Sequence, residues 1–85
     1  MSFHITIKYF ASIREALGQT GEMRTTHATT LALLRDELIA ASPAHASALA
    51  RSKAVRRALD QVMTPESAML ADGSEVAFFP PVTGG

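Results

Sequence analysis

The chain has 85 residues, 47% of them hydrophobic, which suits one small domain with a single core and is too short for two. Eight basic side chains balance eight acidic ones, which argues against a nucleic-acid or anionic-membrane surface and leaves proteins as the expected partners. The absence of cysteine excludes a disulfide framework, a thiolate metal site and a thiol nucleophile.

A domain of this size has a stability on the order of 4–13 kcal/mol, little with which to hold a large concave active site. A carrier, adaptor or subunit is therefore expected rather than a self-sufficient enzyme. The opening stretch MSFHITIKYF lacks the basic and then apolar pattern of a secretory leader, and no apolar run is long enough to cross a bilayer. A cytoplasmic location is the expectation.

Residues 3 to 9 alternate, with Phe3, Ile5, Ile7 and Tyr9 on one face and His4, Thr6 and Lys8 on the other, the period of a half-buried strand. Phe10 continues the polar side, so it is expected to point outward. The stretch ASIREALG predicts a short helical turn with Ile13, Ala16 and Leu17 inward, stopped by Gly18 in a left-handed conformation. Residues 22 to 28, EMRTTHA, are expected to pair back on the first strand as a hairpin arm. Thr29 or Thr30 can cap a helix whose Leu31, Leu34, Leu38 and Ala41 recur at three- and four-residue steps. Ser42-Pro43 fits an N-cap with proline at the first helical position, so AHASALARSK predicts a second short helix. Residues 57 to 63, RALDQVM, read as one strand. TPES is a turn or loop, and Asp72-Gly73 is a tight turn before the last strand, SEVAFF.

Two strands, a main helix and two more strands predict an α+β domain, with the helix packed on one face of a mixed sheet. Residues 1–79 are expected to form that domain and residues 80–85 an extended C-terminal tail. On the last strand Val76 and Phe78 point one way and Glu75, Ala77 and Phe79 the other. If the first set is core, Phe79 joins Phe10 in an outward apolar patch of the kind that marks protein contacts.

The final stretch PPVTGG follows from simple sterics. Pro80 and Pro81 fix φ near the extended value and donate no backbone hydrogen bonds, so the chain must leave the sheet as a stiff tether. From Pro80 to Gly85 the reach is about 18–20 Å at ~3.3 Å per residue. Gly84 and Gly85 carry no side chains and can pass through a channel too narrow for other residues. The functional group at the end of the arm is the α-carboxylate. A carboxylate is a poor electrophile, but conversion to an acyl-adenylate supplies a leaving group. Attack by a sulfur donor would then leave a terminal thiocarboxylate, the nucleophilic sulfur that a cysteine-free chain otherwise lacks.

The runs DGSEVAFFPPVTGG and YFASIREALG resemble the small subunits of molybdopterin synthase, the sulfur carriers of molybdenum cofactor biosynthesis. The helix at 30 to 41 and the LDQVM strand fit that pattern in type and position, while residues 43 to 56 carry no resemblance beyond being helical. The resemblance implies a ubiquitin-like β-grasp fold and a subunit that is not catalytic alone. Gly85 would be adenylated by a ubiquitin-activating-like enzyme, a nucleotide-binding partner, and converted to a thiocarboxylate with sulfur from a donor protein. Gly84, Thr83, Val82, Pro81 and Pro80 would form the arm inserted into the large synthase subunit, in a heterotetramer. There the sulfur would pass to cyclic pyranopterin monophosphate. Phe10, Phe79 and Met63 match the apolar contact positions toward that partner, Met63 standing where the pattern has another aliphatic residue. No resident cofactor or metal is implied, only the transient acyl-adenylate and thiocarboxylate.

Thiamine-pathway sulfur carriers and ubiquitin-like protein modifiers share the fold and the terminal Gly-Gly; the wording FFPPVTGG favours the molybdopterin branch. His4, His27 and His45 lack metal-ligand spacing and read as ordinary surface histidines. The basic run Arg51, Lys53, Arg56 and Arg57 reads as a solvated face or helix C-terminus rather than a phosphate site. Asp72 and Glu75 read as turn and strand-surface residues, with Glu75 free to salt-bridge to a partner.

Overall fold

In the computed structural model, residues 2–80 are described; Met1 and residues 81–85 lie outside the described residues. The elements run in the order β1 (Phe3–Tyr9), α1 (Ala11–Leu17), β2 (Gly21–Thr26), α2 (Leu31–Ala41), α3 (Pro43–Ala48), β3 (Arg56–Leu59), β4 (Val62–Met63) and β5 (Glu75–Phe79). They form one five-stranded mixed sheet in the order β2-β1-β5-β3-β4. β1 pairs antiparallel with β2 and parallel with β5, and β3 pairs antiparallel with both β4 and β5. This is the expected β-grasp arrangement: the last strand is inserted beside the first.

Alternation on the central strands sends Ile5, Ile7, Tyr9, Val76 and Phe78 to one side, where all five are buried against Leu31, Leu34 and Leu38 of α2, with Ile13 and Leu49 in the same cluster. The Tyr9 and Phe78 rings stack at 6.4 Å. Helix starts follow the local signals. The Thr30 hydroxyl accepts from the Leu33 amide, and the Ser42 hydroxyl accepts from the His45 amide with Pro43 in the first turn. Gly18 ends α1 at φ 70, donating its amide to the Arg14 carbonyl.

Three expectations are corrected. Residues 57 to 63 are two strands and not one: Asp60 and Gln61 take positive φ of 50 and 70, so they turn the chain into a tight hairpin between β3 and β4. Ala16 and Ala41, expected inward, are exposed. Ala41 is the last residue of α2, where the chain turns away toward α3, and Ala16 lines a cleft beside Pro80. Helix α3 also ends at Ala48, short of the predicted stretch, and the chain from Leu49 to Lys53 is held by a side chain instead.

That side chain is Arg35 of α2, only 4% exposed. Its Nε donates to the Leu49 carbonyl at 2.9 Å and its Nη2 to the carbonyls of Ala50 at 2.7 Å and Lys53 at 3.2 Å. Its Nη1 donates to Glu66 Oε2 at 2.7 Å. Glu66 also accepts from Arg51, whose other nitrogens reach Asp36 and the Ala32 carbonyl. The guanidinium thus satisfies carbonyls that a helix or strand would otherwise have to satisfy. Of the basic run, then, Arg51 and Arg57 are structural, the latter donating to the Val55 carbonyl and lying 3.8 Å from Glu66. Arg56 and Lys53 are exposed as expected. Glu75 salt-bridges within the chain, to Lys8 at 2.8 Å.

Burial would push the Glu66 carboxyl up, but hydrogen bonds from Arg51 and Arg35, with their charges, hold it below the usual glutamate range. Glu37 is held low against its own burial by hydrogen bonds from Thr26 and Arg24. Groups depressed in the folded state contribute stability that is present above the ordinary value of about 4.3 and lost as pH falls through their folded values. Thermal unfolding followed from about pH 6 to about pH 3 should show the midpoint falling steeply below about pH 4.3. Glu66→Gln should lower the midpoint at neutral pH and flatten that fall. A second expectation concerns Gly21, where a Cβ would sit 2.4 Å from the Ile7 carbonyl oxygen. Gly21→Ala must therefore push β2 from β1, and should cost on the order of 1–3 kcal/mol in denaturant unfolding.

Candidate functional site

The sheet has a second face, opposite the helices, and the site builds there at the C-terminal end of β5. The register aligns Tyr9 with Phe78, so Phe10 and Phe79 follow side by side on the outer face. Their rings meet edge to face at 6.4 Å and 81°. Phe10 is 45% exposed and Phe79 half-buried, which bears out the outward placement of both. The Phe10 amide donates to the Phe78 carbonyl at 3.1 Å, extending the β1–β5 ladder to the last rung before the chain turns away. The turn is sharp: Ala11 stands in the left-handed region at φ 51, a conformation that costs an L-residue roughly 1–2 kcal/mol.

Met63 belongs to the same outer face. It aligns with Ala58, which aligns with Ala77, which aligns with Lys8, giving one row across β4, β3, β5 and β1. The next row holds Arg56, Phe79 and Phe10. Met63 is 55% exposed. Phe10, Phe79, Ala77, Ala58 and Met63 therefore share one face, bordered by Arg56, Lys8 and Glu75. Pro80 leaves β5 at the end of this surface. Pro81, Val82, Thr83, Gly84 and Gly85, the rest of the expected arm, lie outside the described residues.

Two recesses adjoin the strand end. One, of about 310 Å³, lies on the helix side and is lined by Ile13, Ala16, Ala48, Lys53, Val55 and Pro80 among others. The other, of about 470 Å³, opens along the sheet between Thr6, Lys8, Phe10, Arg14 and Met23. Among the described residues, no group of three His, Cys, Asp or Glu is placed to hold a metal ion. What the surface presents chemically is an apolar patch with a charged rim.

On the helix-facing side of β1 and β2 lies a polar cluster that sequence patterning missed. Glu22 accepts from the Tyr9 hydroxyl at 2.8 Å, from Gln19 at 3.1 Å and from His45 Nε2 at 2.9 Å. With Nε2 as that donor, His45 Nδ1 accepts from the Ser42 hydroxyl 2.6 Å away. His45 is half-buried and not the surface histidine expected, because it ties α3 to β2. Burial favours a raised Glu22 carboxyl, but the His45 and Tyr9 hydrogen bonds and the nearby charges hold it below its usual range. Burial and the Glu22 carboxylate push the Tyr9 phenol far above its own, so it stays a neutral donor. A serine, a histidine and a glutamate in line resemble a catalytic relay. Here, however, the serine is a helix cap and the glutamate also holds a core tyrosine, so the cluster fastens elements together. The sequence signal was present only as Ser42-Pro43 with a histidine two residues on.

The geometry can be set beside known proteins. A family model described as the ThiS family matches residues 7–85. The chain is 38% identical over 81 residues to the molybdopterin synthase sulfur carrier subunit of Escherichia coli K12, covering 95% of this chain and 99% of that protein. The crystal structure of small archaeal modifier protein 1 from Haloferax volcanii superposes with a TM-score of 0.77 at 25% identity, over 94% of this chain and 99% of that one. A chain in the protein–protein complex of subunits 1 and 2 of molybdopterin-converting factor from Helicobacter pylori superposes with a TM-score of 0.63 at 23% identity, over the full length of both.

Proposed function

We propose a function from one premise: the chain belongs to the ThiS family. Within it, the chain acts as the sulfur-carrying subunit of a molybdopterin synthase. The observation that carries this reading is the Phe10–Phe79 pair, set edge to face on the outer sheet face where β5 ends. It is supported by the likeness to a named sulfur carrier subunit over nearly that protein's whole length. The known complex of two converting-factor subunits supports a large-subunit partner for the patch.

In this mechanism the domain binds and the terminus reacts. An oxygen of the Gly85 carboxylate attacks the α-phosphate of ATP in an activating enzyme, and pyrophosphate leaves. A donor supplying sulfur at the sulfide oxidation level attacks the acyl carbon, AMP leaves with the electron pair of the broken C–O bond, and a thiocarboxylate remains. In the large subunit that sulfur attacks a carbon of the pterin substrate, cyclic pyranopterin monophosphate, forming a C–S bond as the C–O bond at that carbon breaks and its oxygen departs with the electron pair. Hydrolysis of the resulting acyl–sulfur bond leaves the sulfur on the substrate and returns the Gly85 carboxylate. This chain contributes positioning: the apolar seat fixes where Pro80 departs, and an arm of fixed length then delivers the acyl group.

A second reading, a ubiquitin-like modifier, draws on the likeness to the small archaeal modifier protein, which concerns the fold. It uses the same terminus but ends in an isopeptide bond to a target lysine. Intact-mass measurement on protein from its native cell separates the two. A carrier shows replacement of one terminal oxygen by sulfur, and a modifier shows covalent adducts of higher mass.

Deleting Gly85 should leave the melting temperature unchanged and abolish sulfur transfer in a reconstituted assay with the large subunit and its pterin substrate. A truncated chain that still supports product formation overturns the mechanism. Phe79→Asp puts a charge into the apolar seat and should weaken binding to the large subunit by roughly 30-fold or more, the scale of a lost anchor of about 2 kcal/mol. Titration calorimetry checks this, and unchanged affinity would remove Phe79 from the interface.

A further inference from the structure

The sheet has two edges, and the longer one is open. β2 pairs with β1 alone, and among the described residues no strand lies on its other side. The hydrogen-bond phase shows which groups that edge presents. The Tyr9 amide donates to the Thr20 carbonyl, which places Thr20, Glu22, Arg24 and Thr26 in the pairs that bond toward β1. The alternate residues Gly21, Met23 and Thr25 therefore turn both N–H and C=O away from the sheet. Met23 is also the most exposed large apolar side chain among the described residues, at 77%. Unpaired donors and acceptors beside an exposed apolar residue make a template for another strand.

We propose that the β2 edge pairs antiparallel with β2 of a second copy of this chain, centred on Met23, to give a two-fold symmetric dimer with one continuous sheet. The sequence selects that register. A two-fold axis perpendicular to the sheet keeps outer faces together, so the axis must pass a residue facing its own copy. Centred on Glu22 or on Arg24, the pairing sets like charges directly opposite, which is destabilising. Centred on Met23, each Glu22 faces the copy's Arg24, on the same side as the existing Arg24–Glu37 ion pair. Met23 then lies on Met23, and Gly21 faces Thr25. This is the one of the three centrings that uses all of Gly21, Met23 and Thr25 on both strands, each facing pair exchanging two N–H···O bonds. The Phe10–Phe79 patches of the two copies fall on the same face of the joined sheet, and neither is covered. The proposal uses no part of the sulfur-transfer reading and stands or falls separately.

The absence of cysteine gives a direct test. Facing residues in a bonded antiparallel pair have Cα atoms about 5.5 Å apart, within the range a disulfide spans. Met23→Cys under mild oxidation should give a disulfide-linked dimer. Val62→Cys, a comparably exposed site at 65% on the opposite edge strand, should stay monomeric. Sedimentation velocity of the full wild-type chain across the micromolar to millimolar range should show a monomer–dimer equilibrium. Met23→Lys should raise its dissociation constant on the order of tenfold or more, through like charges at the seam and the lost apolar pair. Because Met23 is exposed, circular dichroism of that variant should match wild type. A wild-type chain that stays monomeric throughout, or equal cross-linking of both cysteine variants, overturns the proposal. So does protection of the Gly21, Met23 and Thr25 amides from hydrogen exchange only after a large-subunit partner is added, which would assign the edge to that partner.

Discussion

The hydrogen-bonded seam between parallel β1 and β5 is the constraint on which the rest of the molecule depends. A parallel pair needs a long crossover, and the chain from α1 to the Asp72-Gly73 turn serves as that connection. The seam ties the end of the chain to its beginning and puts β5 inside the sheet, bonded on both sides. Register and face are linked here. A slip of one residue would turn Phe79 inward and expose Phe78, and Val76 with it. Both of those side chains are fully buried against α2, so the energy that folds the core also fixes which phenylalanine faces outward. The orientation of the outer apolar surface is thus a by-product of core packing.

The polar interior works to the same end. Nearly every charged group that leaves the surface is occupied in tying one segment to another. Arg35 closes the segment after α3, Glu66 gathers Arg35 and Arg51, Glu37 joins β2 to α2, and Glu22 joins β1, β2 and α3. A buried guanidinium is costly to desolvate, and Arg35 is held by four acceptors on the loop and Glu66. With these charges committed, the described residues present an apolar surface with a charged border and no assembled catalytic set.

Much of this was legible in the residues. The strict alternation of FHITIKY and SEVAFF gave both central strands and the outward side of Phe10 and Phe79. Thr30, Ser42-Pro43 and Gly18 marked helix boundaries because caps and stops are local interactions. What stayed hidden depends on partners far along the chain. Arg35 reads as one more polar residue in LLRDEL, and only the arrival of carbonyls from 49, 50 and 53 makes it a core group. His45 reads as a surface histidine until β2 brings Glu22 to it. The β3–β4 hairpin was missed because its turn is Asp60-Gln61, where glycine is the usual signal, so RALDQVM looked continuous. Ala16 and Ala41 had helical spacing on the inward side, but alanine is a weak reporter of burial and the core does not reach either.

The same alternation that separates core from outer face also separates the Phe10–Phe79 surface from the open edge of β2. Along β1 the amides of even-numbered residues turn to β5 and those of odd-numbered ones to β2, as the Thr6 bond to Ser74 and the Tyr9 bond to Thr20 show. The seam with β5 and the ladder that supports β2 thus draw on different backbone groups of one strand. The Phe10–Phe79 surface uses side chains above β5, whereas the open edge of β2 uses main-chain groups two strands away. Their direct link is Tyr9, packed on Phe78 at one end and bonded to Glu22 at the other. A strand added at β2 would meet Glu22 through its charge and leave the Phe78 packing in place. The proposed assembly at that edge and the proposed contact at the Phe10–Phe79 surface are therefore compatible on one sheet, because the pleat assigns them different atoms.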